Sequence, residues 1–158
     1  MKMKKVLFAL LFVFSAISAH AQFEKETVYV NTSLSNMSMQ FNKDFKLGLE
    51  AKVGYFFTDD WAVLGYGGVD YRNSSLNYLY AGAGIRYYIE QNGLFLGAGL
   101  KYAHQGSYND MLPNMELGYT FFLSKTVTIE PSLFYDQSLK NHGDYSTLGF
   151  KLGFGFYF

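Results

Sequence analysis

The chain contains no cysteine among its 158 residues, and only 2 prolines. Without cysteine it has neither a disulfide framework nor the lipid-attachment cysteine of a lipoprotein. It also lacks a phosphate-binding loop, a dinucleotide-binding fingerprint and a zinc motif. After residue 21 no stretch shows the 3.6-residue apolar period of a helix. The sequence therefore excludes a disulfide-stapled domain and gives no cofactor signature; we expect no cofactor and no metal.

The sequence also lacks an apolar run of the about 20 residues that a transmembrane helix needs. Its first apolar run, residues 6–17, is interrupted by Ser15 and follows a basic start at Lys2, Lys4 and Lys5. The segment Ala19-His20-Ala21 supplies a small-residue cleavage site. This order is typical of a secretory signal peptide cut after Ala21. We predict a signal peptide over residues 1–21 and one domain over residues 22–158.

Charge is scarce in the remaining chain. Removing residues 1–21 leaves 137 residues with 10 basic and 13 acidic side chains, a net charge of about −3. This balance argues against nucleic acid as a partner. In contrast, the chain has 16 glycines, and aromatic residues make up 20% of it. That composition is far from the average soluble domain.

The aromatic and glycine residues follow a two-residue period, most clearly in residues 148–158. One parity carries bulky apolar side chains: Leu148, Phe150, Leu152, Phe154, Phe156 and Phe158. The other carries glycines, Lys151 and Tyr157. Successive side chains of an extended strand point to opposite faces. The segment is therefore a strand with one face that needs lipid or a large core.

Eight segments share this period. They are residues 27–34, 45–57, 61–71, 79–89, 94–102, 115–123, 127–135 and 148–158. In the third segment the parity is ambiguous, and Gly67-Gly68 could host a bulge; we favour Trp61, Val63, Val69 and Tyr71 outward, with Asp70 inward. The pattern predicts an all-β fold, an eight-stranded antiparallel up-and-down transmembrane β-barrel.

The connections between the segments alternate in length. Residues 58–60, 90–93 and 124–126 are short, whereas 35–44, 72–77, 104–113 and 137–145 are longer and polar. Membrane barrels have short periplasmic turns and longer outer loops. The strongest rival is a soluble eight-stranded barrel of lipocalin type, with the apolar face inward. An eight-stranded interior is only just wide enough for side chains to fill, so it could not hold all the bulky residues of these strands, and the lipid-facing arrangement is favoured.

Four segments carry a resemblance to a known group: LGLEAKVGYFFTDD at 47–60, AGAGIRYYI at 81–89, LGYTFFLS at 117–124 and LGFKLGFGFYF at 148–158. Together with the signal peptide they resemble the outer-membrane β-barrel domain proteins, relatives in architecture of OmpX and of the membrane domain of OmpA. The resemblance implies fold and location much more than activity. It also implies that the terminal aromatic residue, Phe158, is read by the barrel-assembly machinery.

Charged residues fall on the face opposite the apolar one, and a barrel would enclose them. They are Glu50, Lys52, Arg86, Lys101, Glu116, Glu130 and Lys151, with Asp70 a further candidate. A buried unpaired charge costs several kcal/mol, so these side chains should pair with each other. They suit a polar plug better than a selective pore or a catalytic dyad, because eight strands leave no room for an aqueous channel.

Polar residues of the outer connections raise the possibility of a catalytic or metal site. His104 and His142 lie there, with Ser107, Asp110, Ser138 and Asp144 near in sequence. No defined spacing sets a base beside a nucleophile, and two histidines without a further clear ligand do not define a metal site. Met37, Met39, Met111 and Leu112 in the same connections would offer apolar loop tips to an extracellular partner.

The sequence thus predicts a monomeric integral outer-membrane barrel with a structural or surface-interaction role and no enzymatic activity. Its expected partners are outer-membrane lipid and the barrel-assembly machinery, and its extracellular partner is unknown. A loop-mediated binding or adhesion module is the alternative. A lipid A-modifying outer-membrane enzyme is a third and weaker one.

Overall fold

The computed structural model describes residues 23–38, 46–72, 75–89, 93–140, 142 and 146–158. The predicted signal peptide, residues 1–21, lies outside the described residues. Within the described ranges, no helix is long and apolar enough to cross a membrane. The chain there is almost entirely β-strand, as the two-residue period predicts.

Eight antiparallel strands form the fold. They are β1 (Val28–Ser38), β2 (Lys46–Thr58), β3 (Trp61–Arg72), β4 (Ser75–Tyr88), β5 (Leu94–Gln105), β6 (Tyr108–Tyr119, resuming after Thr120 at Phe121–Phe122), β7 (Val127–Asp136) and β8 (Thr147–Tyr157). Each strand pairs with its neighbours in sequence, and β8 pairs with β1. The prediction of an eight-stranded antiparallel β-barrel is confirmed. The pairing of β8 with β1 closes the ring, as in other barrels.

Two of the predicted outer connections are wrong. β4 begins at Ser75, and Arg72 pairs with Ser75, so at most residues 73–74 connect β3 to β4. β6 begins at Tyr108 and Gln105 pairs with Tyr108, so the predicted loop 104–113 is a two-residue turn at Gly106-Ser107. Gly106 has φ +57°, a conformation that glycine adopts without steric cost. The expected alternation of long and short connections therefore fails at these two places.

The bulge expected at Gly67-Gly68 is also absent. Both residues pair in continuous register with β2 and β4. The irregularities lie elsewhere, between Phe56 and Thr58 on β2 and between Asp70 and Tyr71 on β3. In β3, Trp61, Val63 and Tyr71 are exposed and Leu64 is buried, as the sequence favours, whereas Val69 and Asp70 are both half-buried.

The two faces of the barrel differ sharply in chemistry. Every strand presents bulky apolar side chains outward, including Val53, Met115 and Leu133, which are 57%, 65% and 54% exposed. Inside, polar and charged side chains share the space with an aromatic cluster at one end. That end carries the turns after β2, β4 and β6 and also residues 23–27 and 158. We call it the terminal mouth, and the opposite end the outer end.

Candidate functional site

Arg86 of β4 organises the part of the lumen nearest the terminal mouth. Its guanidinium is only 1% exposed and bonds Glu130 of β7 at 3.0 Å. Nη1 also donates to the hydroxyls of Tyr29 and Tyr88, at 3.0 and 3.1 Å. The guanidinium carbon lies 3.9 Å from the ring centre of Phe95, a close cation–π contact. The parity of each strand turns these side chains of β1, β4, β5 and β7 into the lumen, where they meet.

Glu130 is correspondingly rich in donors. Its carboxylate accepts from the hydroxyls of Tyr29 and Tyr157 and from Thr128, in addition to Arg86. These four donors occupy the roughly four lone-pair directions of the two carboxylate oxygens. The charge is matched and hydrogen-bonded, as a carboxylate that is only 3% exposed requires.

The network continues through Glu116 towards the middle of the barrel. Glu116 lies 3.4 Å from Nη2 of Arg86 and 2.6 Å from Nζ of Lys52, and it accepts from Ser132 at 2.8 Å. Lys52 is 3.2 Å from Glu50. Cations and carboxylates therefore alternate along the lumen, an order that sets opposite charges next to each other.

Glu50 gathers the cations of the outer half. Lys151 bonds it at 2.8 Å, Lys101 lies at 3.7 Å, and the hydroxyl of Tyr80 donates to it at 2.8 Å. Lys101 is also held by both carboxylate oxygens of Asp136, at 3.0 and 2.9 Å. All seven lumen residues named from the sequence thus lie in the lumen, and their ion pairs join them into one connected network.

A small cavity lies among these side chains. A cavity beside Glu50, Lys101, Glu116 and Lys151 offers only about 10 Å³ to water, room for about one molecule. Glycines allow this packing: a Cβ at Gly84 would lie 2.5 Å from the carbonyl oxygen of Ala98. Among the described residues, buried polar side-chain atoms without a hydrogen-bond partner are few: Ser33 Oγ, Arg86 Nε and Thr120 Oγ1.

An aromatic cluster closes the lumen at the terminal mouth. We call it the aromatic cap; it consists of Phe23, Phe56, Tyr88, Phe95, Phe122 and Tyr157. Phe23 stacks on Tyr88 with ring centres 4.1 Å apart and meets Tyr157 edge-on at 5.8 Å. The hydroxyls of Tyr88 and Tyr157 are 2.9 Å apart. The cap therefore joins the charge network directly.

Sequence reasoning missed several members of this site. The predicted strand 127–135 ends one residue before Asp136, and the predicted connection 104–113 contains Asp110, which is only 2% exposed. The same two-residue parity, continued from Glu130 and Glu116, reaches both residues. Phe23 precedes the first strand and carries no periodic signal.

Polar side chains of the outer connections form a hydrogen-bonded cluster. His142 Nδ1 lies 2.7 Å from Ser146 Oγ and 2.8 Å from Gln137 Nε2. Ser138 donates to Asp110, and His104 contacts Asn109 across the β5–β6 turn. Asp144 lies outside the described residues, within which no group of three His, Asp or Glu side chains could hold a metal ion.

Two of the four residues expected at apolar loop tips lie within a strand. Leu112 is 1% exposed and packs inside the barrel with Ala103, and Met111 is on the outer face of β6. Met39 lies outside the described residues, and nothing is described of the side chain of Met37. The prediction of Met111 and Leu112 as loop-tip contacts is wrong, because their segment is a strand.

The exterior of the strands forms a continuous apolar belt, made of these exposed side chains: Val28, Val30, Leu34, Leu49, Val53, Tyr55, Phe57, Trp61, Val63, Tyr71, Leu76, Leu79, Ile85, Leu96, Leu100, Tyr102, Met111, Met115, Leu117, Leu133, Leu148, Phe150, Leu152, Phe154 and Phe156. Soluble monomers rarely expose contiguous apolar patches above a few hundred Å². With the charges inside and the aliphatic side chains outside, the barrel has the reverse of a soluble protein's arrangement.

Solved structures with the same architecture belong to membrane barrels. The N-terminal β-barrel domain of Pseudomonas aeruginosa OprF superposes with a TM-score of 0.67 at 17% identity, over 85% of this chain and 98% of that one. The fold is that of the small outer-membrane β-barrel proteins.

Two further structures agree on this fold. The Yersinia pestis outer membrane protein Ail, in a phospholipid bilayer nanodisc, gives a TM-score of 0.57 at 19% identity, over 85% of this chain and 100% of that one. A de novo designed transmembrane barrel gives 0.56 at 15% identity, over 87% and 99%. No protein-family model matches the chain, and no curated protein matches it.

Proposed function

We propose that this protein is an integral outer-membrane β-barrel, exported by a signal peptide cut after Ala21, with a structural or surface-interaction role and a plugged lumen. The reversal of polarity carries the proposal: Lys52, Arg86 and Glu130 are at most 3% exposed, whereas Val53 and Leu133 are more than half exposed. Such a molecule is stable only in a hydrocarbon medium around its belt. The likeness in fold to outer-membrane barrels supports the same conclusion.

The plug is the second part of the proposal. Four buried cations, Lys52, Arg86, Lys101 and Lys151, each have a carboxylate within salt-bridge distance. An eight-stranded lumen is just wide enough to be filled by side chains, and this one is filled by paired charges above an aromatic cap. The barrel is then a scaffold for its outer end and not a channel.

The assembly partner follows from the closing strand. Phe158 ends the chain described here and is 73% exposed, and its backbone is bonded to Val28 in both directions at 2.9 Å. We propose that this exposed terminal aromatic residue is the contact for the barrel-assembly machinery, and that the assembled protein is a monomer in outer-membrane lipid.

The location is tested by fractionation and gel mobility. The mature chain should separate with outer membranes and begin at residue 22 by N-terminal sequencing. Unheated, it should migrate faster than after boiling, because a closed strand ladder resists detergent. Recovery of the protein from the soluble periplasmic fraction would contradict the proposal.

A surface-interaction role would depend on the connection between β7 and β8. Leu139 is 65% exposed there, beside the exposed Lys140, and offers an apolar contact beyond the belt. A Leu139→Ser variant should leave fractionation unchanged and weaken binding to any envelope or host-surface preparation that the native protein binds. Equal binding by both proteins would show that Leu139 is not the contact, and no binding by the native protein would leave the barrel a purely structural role.

We further propose that the protein has no catalytic activity. The pair of Ser146 and His142 is the nearest approach to a nucleophile and base, but Ser146 is only 9% exposed and its oxygen also accepts from the amide of Ser138 at 2.9 Å. Lipid A mass spectrometry with and without the gene should give identical species. A lipid A species that is lost on deletion of the gene and is also missing in the Ser146→Ala variant would contradict the proposed lack of catalytic activity.

A further inference from the structure

Residues 23–27 fold back into the terminal mouth instead of leading straight away from β1. We call them the N-terminal hook. The amide of Thr27 donates to the carbonyl of Glu24 at 3.2 Å, and Glu26 has φ 75°. A non-glycine residue in this left-handed region is uncommon and needs surrounding contacts to hold it there. The reversal is therefore maintained by what the hook touches.

The backbone of the hook is bonded to the β2–β3 hairpin at several points. The amide of Asp60 donates to the carbonyl of Phe23 at 2.8 Å, and the amide of Lys25 donates to Asp59 Oδ1 at 2.9 Å. Glu26 and Thr27 exchange two further bonds with Phe56, at 2.8 and 3.0 Å. These bonds extend the pairing of β1 with β2 to residues before Val28. The hook then turns across the terminal mouth.

One side chain fills the mouth. Phe23 is 5% exposed, whereas Glu24, Lys25 and Glu26 are exposed. Its ring lies on Tyr88, whose hydroxyl contacts Arg86 and Tyr157. Phe23 therefore separates the first hydrogen-bonded layer of the lumen from the surroundings of the mouth.

We propose that the N-terminal hook is a seal of the terminal mouth, docked through Phe23, which keeps water from the Tyr88–Tyr157–Glu130 layer. Because docking depends on one buried side chain and a few backbone bonds, the hook is the part of the barrel that opens first. Local opening at such a site requires much less free energy than global unfolding. The inference rests on the fold and stands whether or not the outer-membrane location is correct.

Hydrogen exchange on the refolded mature chain, followed by NMR, tests the seal. The amides of Phe56 and Asp60 report docking, because their acceptors belong to the hook. The amide of Thr120, bonded to Gly93 at 2.8 Å at the same mouth, is the internal reference. Phe23→Ala should speed exchange of the first two by about tenfold or more, and leave Thr120 unchanged. Phe57→Ala, an outward-facing neighbour that is 44% exposed, is the matched control and should change none of them.

Sealing has its own readout in the hydroxyl protons of Tyr88 and Tyr157. They should exchange slowly enough to be observed in the native protein and become unobservable in Phe23→Ala. If Phe23→Ala fails to give the barrel's gel shift, Phe23→Leu, which keeps part of the apolar volume, should give an intermediate exchange rate. Unprotected Phe56 and Asp60 amides in the native protein, or unchanged protection in the folded variants, would overturn the proposal.

Discussion

A single carboxylate shows how this barrel tolerates charge in its interior. Glu130 receives donors from β1, β4, β7 and β8, through Tyr29, Arg86, Thr128 and Tyr157. Each of these donors is itself buried, so each would lose this acceptor if the carboxylate were removed. The penalty of a substitution is set by the groups left behind and not by the net energy of the pair.

Replacing Glu130 by Leu should lower the free energy of unfolding by about 3–5 kcal/mol, because Arg86 is then a buried charge without its main counterion. The measurement is urea unfolding in lipid vesicles, with Glu24→Leu at an exposed position as control. The double variant Glu130→Leu/Arg86→Met should be more stable than the single one. Additive losses in the double variant would show that the two groups do not depend on each other.

At the scale of the element, turn geometry and strand depth decide which positions are sensitive. Gly106 and Gly65 are a matched pair: an added Cβ at either would meet no atom within 4 Å. Gly106 alone has a positive φ, +57°. The two positions therefore separate the conformational requirement for glycine from the requirement for space.

Gly106→Ala should destabilise by about 1–2 kcal/mol, the cost of the left-handed region for a residue with a Cβ. Gly65→Ala should be neutral or stabilise by up to about 1 kcal/mol, since it restricts the unfolded chain without strain. Both are compared by urea midpoints under one lipid condition. Equal effects at the two sites would mean that the turn at Gly106 does not have the conformation described here.

In the closing strand β8, two positions can be compared that differ in their depth in the membrane. Leu152 lies at its centre and Leu148 near its outer end, and both face outward. Leu152→Arg should destabilise by about 2–4 kcal/mol, and Leu148→Arg by about 0–1 kcal/mol, as expected for arginine at the midplane and near the interface. Unfolding of the two variants in the same vesicles gives the difference. A larger loss at Leu148 would contradict the membrane placement proposed above.

The sequence predicts a strand only where the two-residue alternation of its side chains is clear. In β8 and β2 the side chains alternate in size and polarity, so Lys151 and Lys52 were assigned to the inside from parity alone. The inner face of β6 carries Asp110, Leu112 and Asn114, and its outer face carries Met111 and Pro113. In the sequence, a polar residue that faces the lumen has the same appearance as a polar residue of a loop. The ring contacts of Phe23 are non-local and have no sequence signal.

At the scale of the whole molecule, the lumen should not conduct. A cavity beside Glu50 and Glu116 has a volume of only about 10 Å³, and the aromatic cap lies at the terminal mouth. Planar-bilayer recordings of refolded protein should show no steady open channel. A stable, ion-selective conductance would contradict the plug and require a wider barrel than eight strands form.

The closure of the ring between β1 and β8 also has a consequence for how the chain folds. Seven of the eight ladders join strands that follow each other in sequence, so they need only short loops to close. The eighth joins Tyr29 to Tyr157, almost the full length of the described chain. A string of hairpins can therefore form early and in any order, but it encloses an interior only at the final pairing. Until then Arg86, Glu116 and Glu130 are not enclosed in one lumen. The polar side chains of this protein therefore form their network in a single late step.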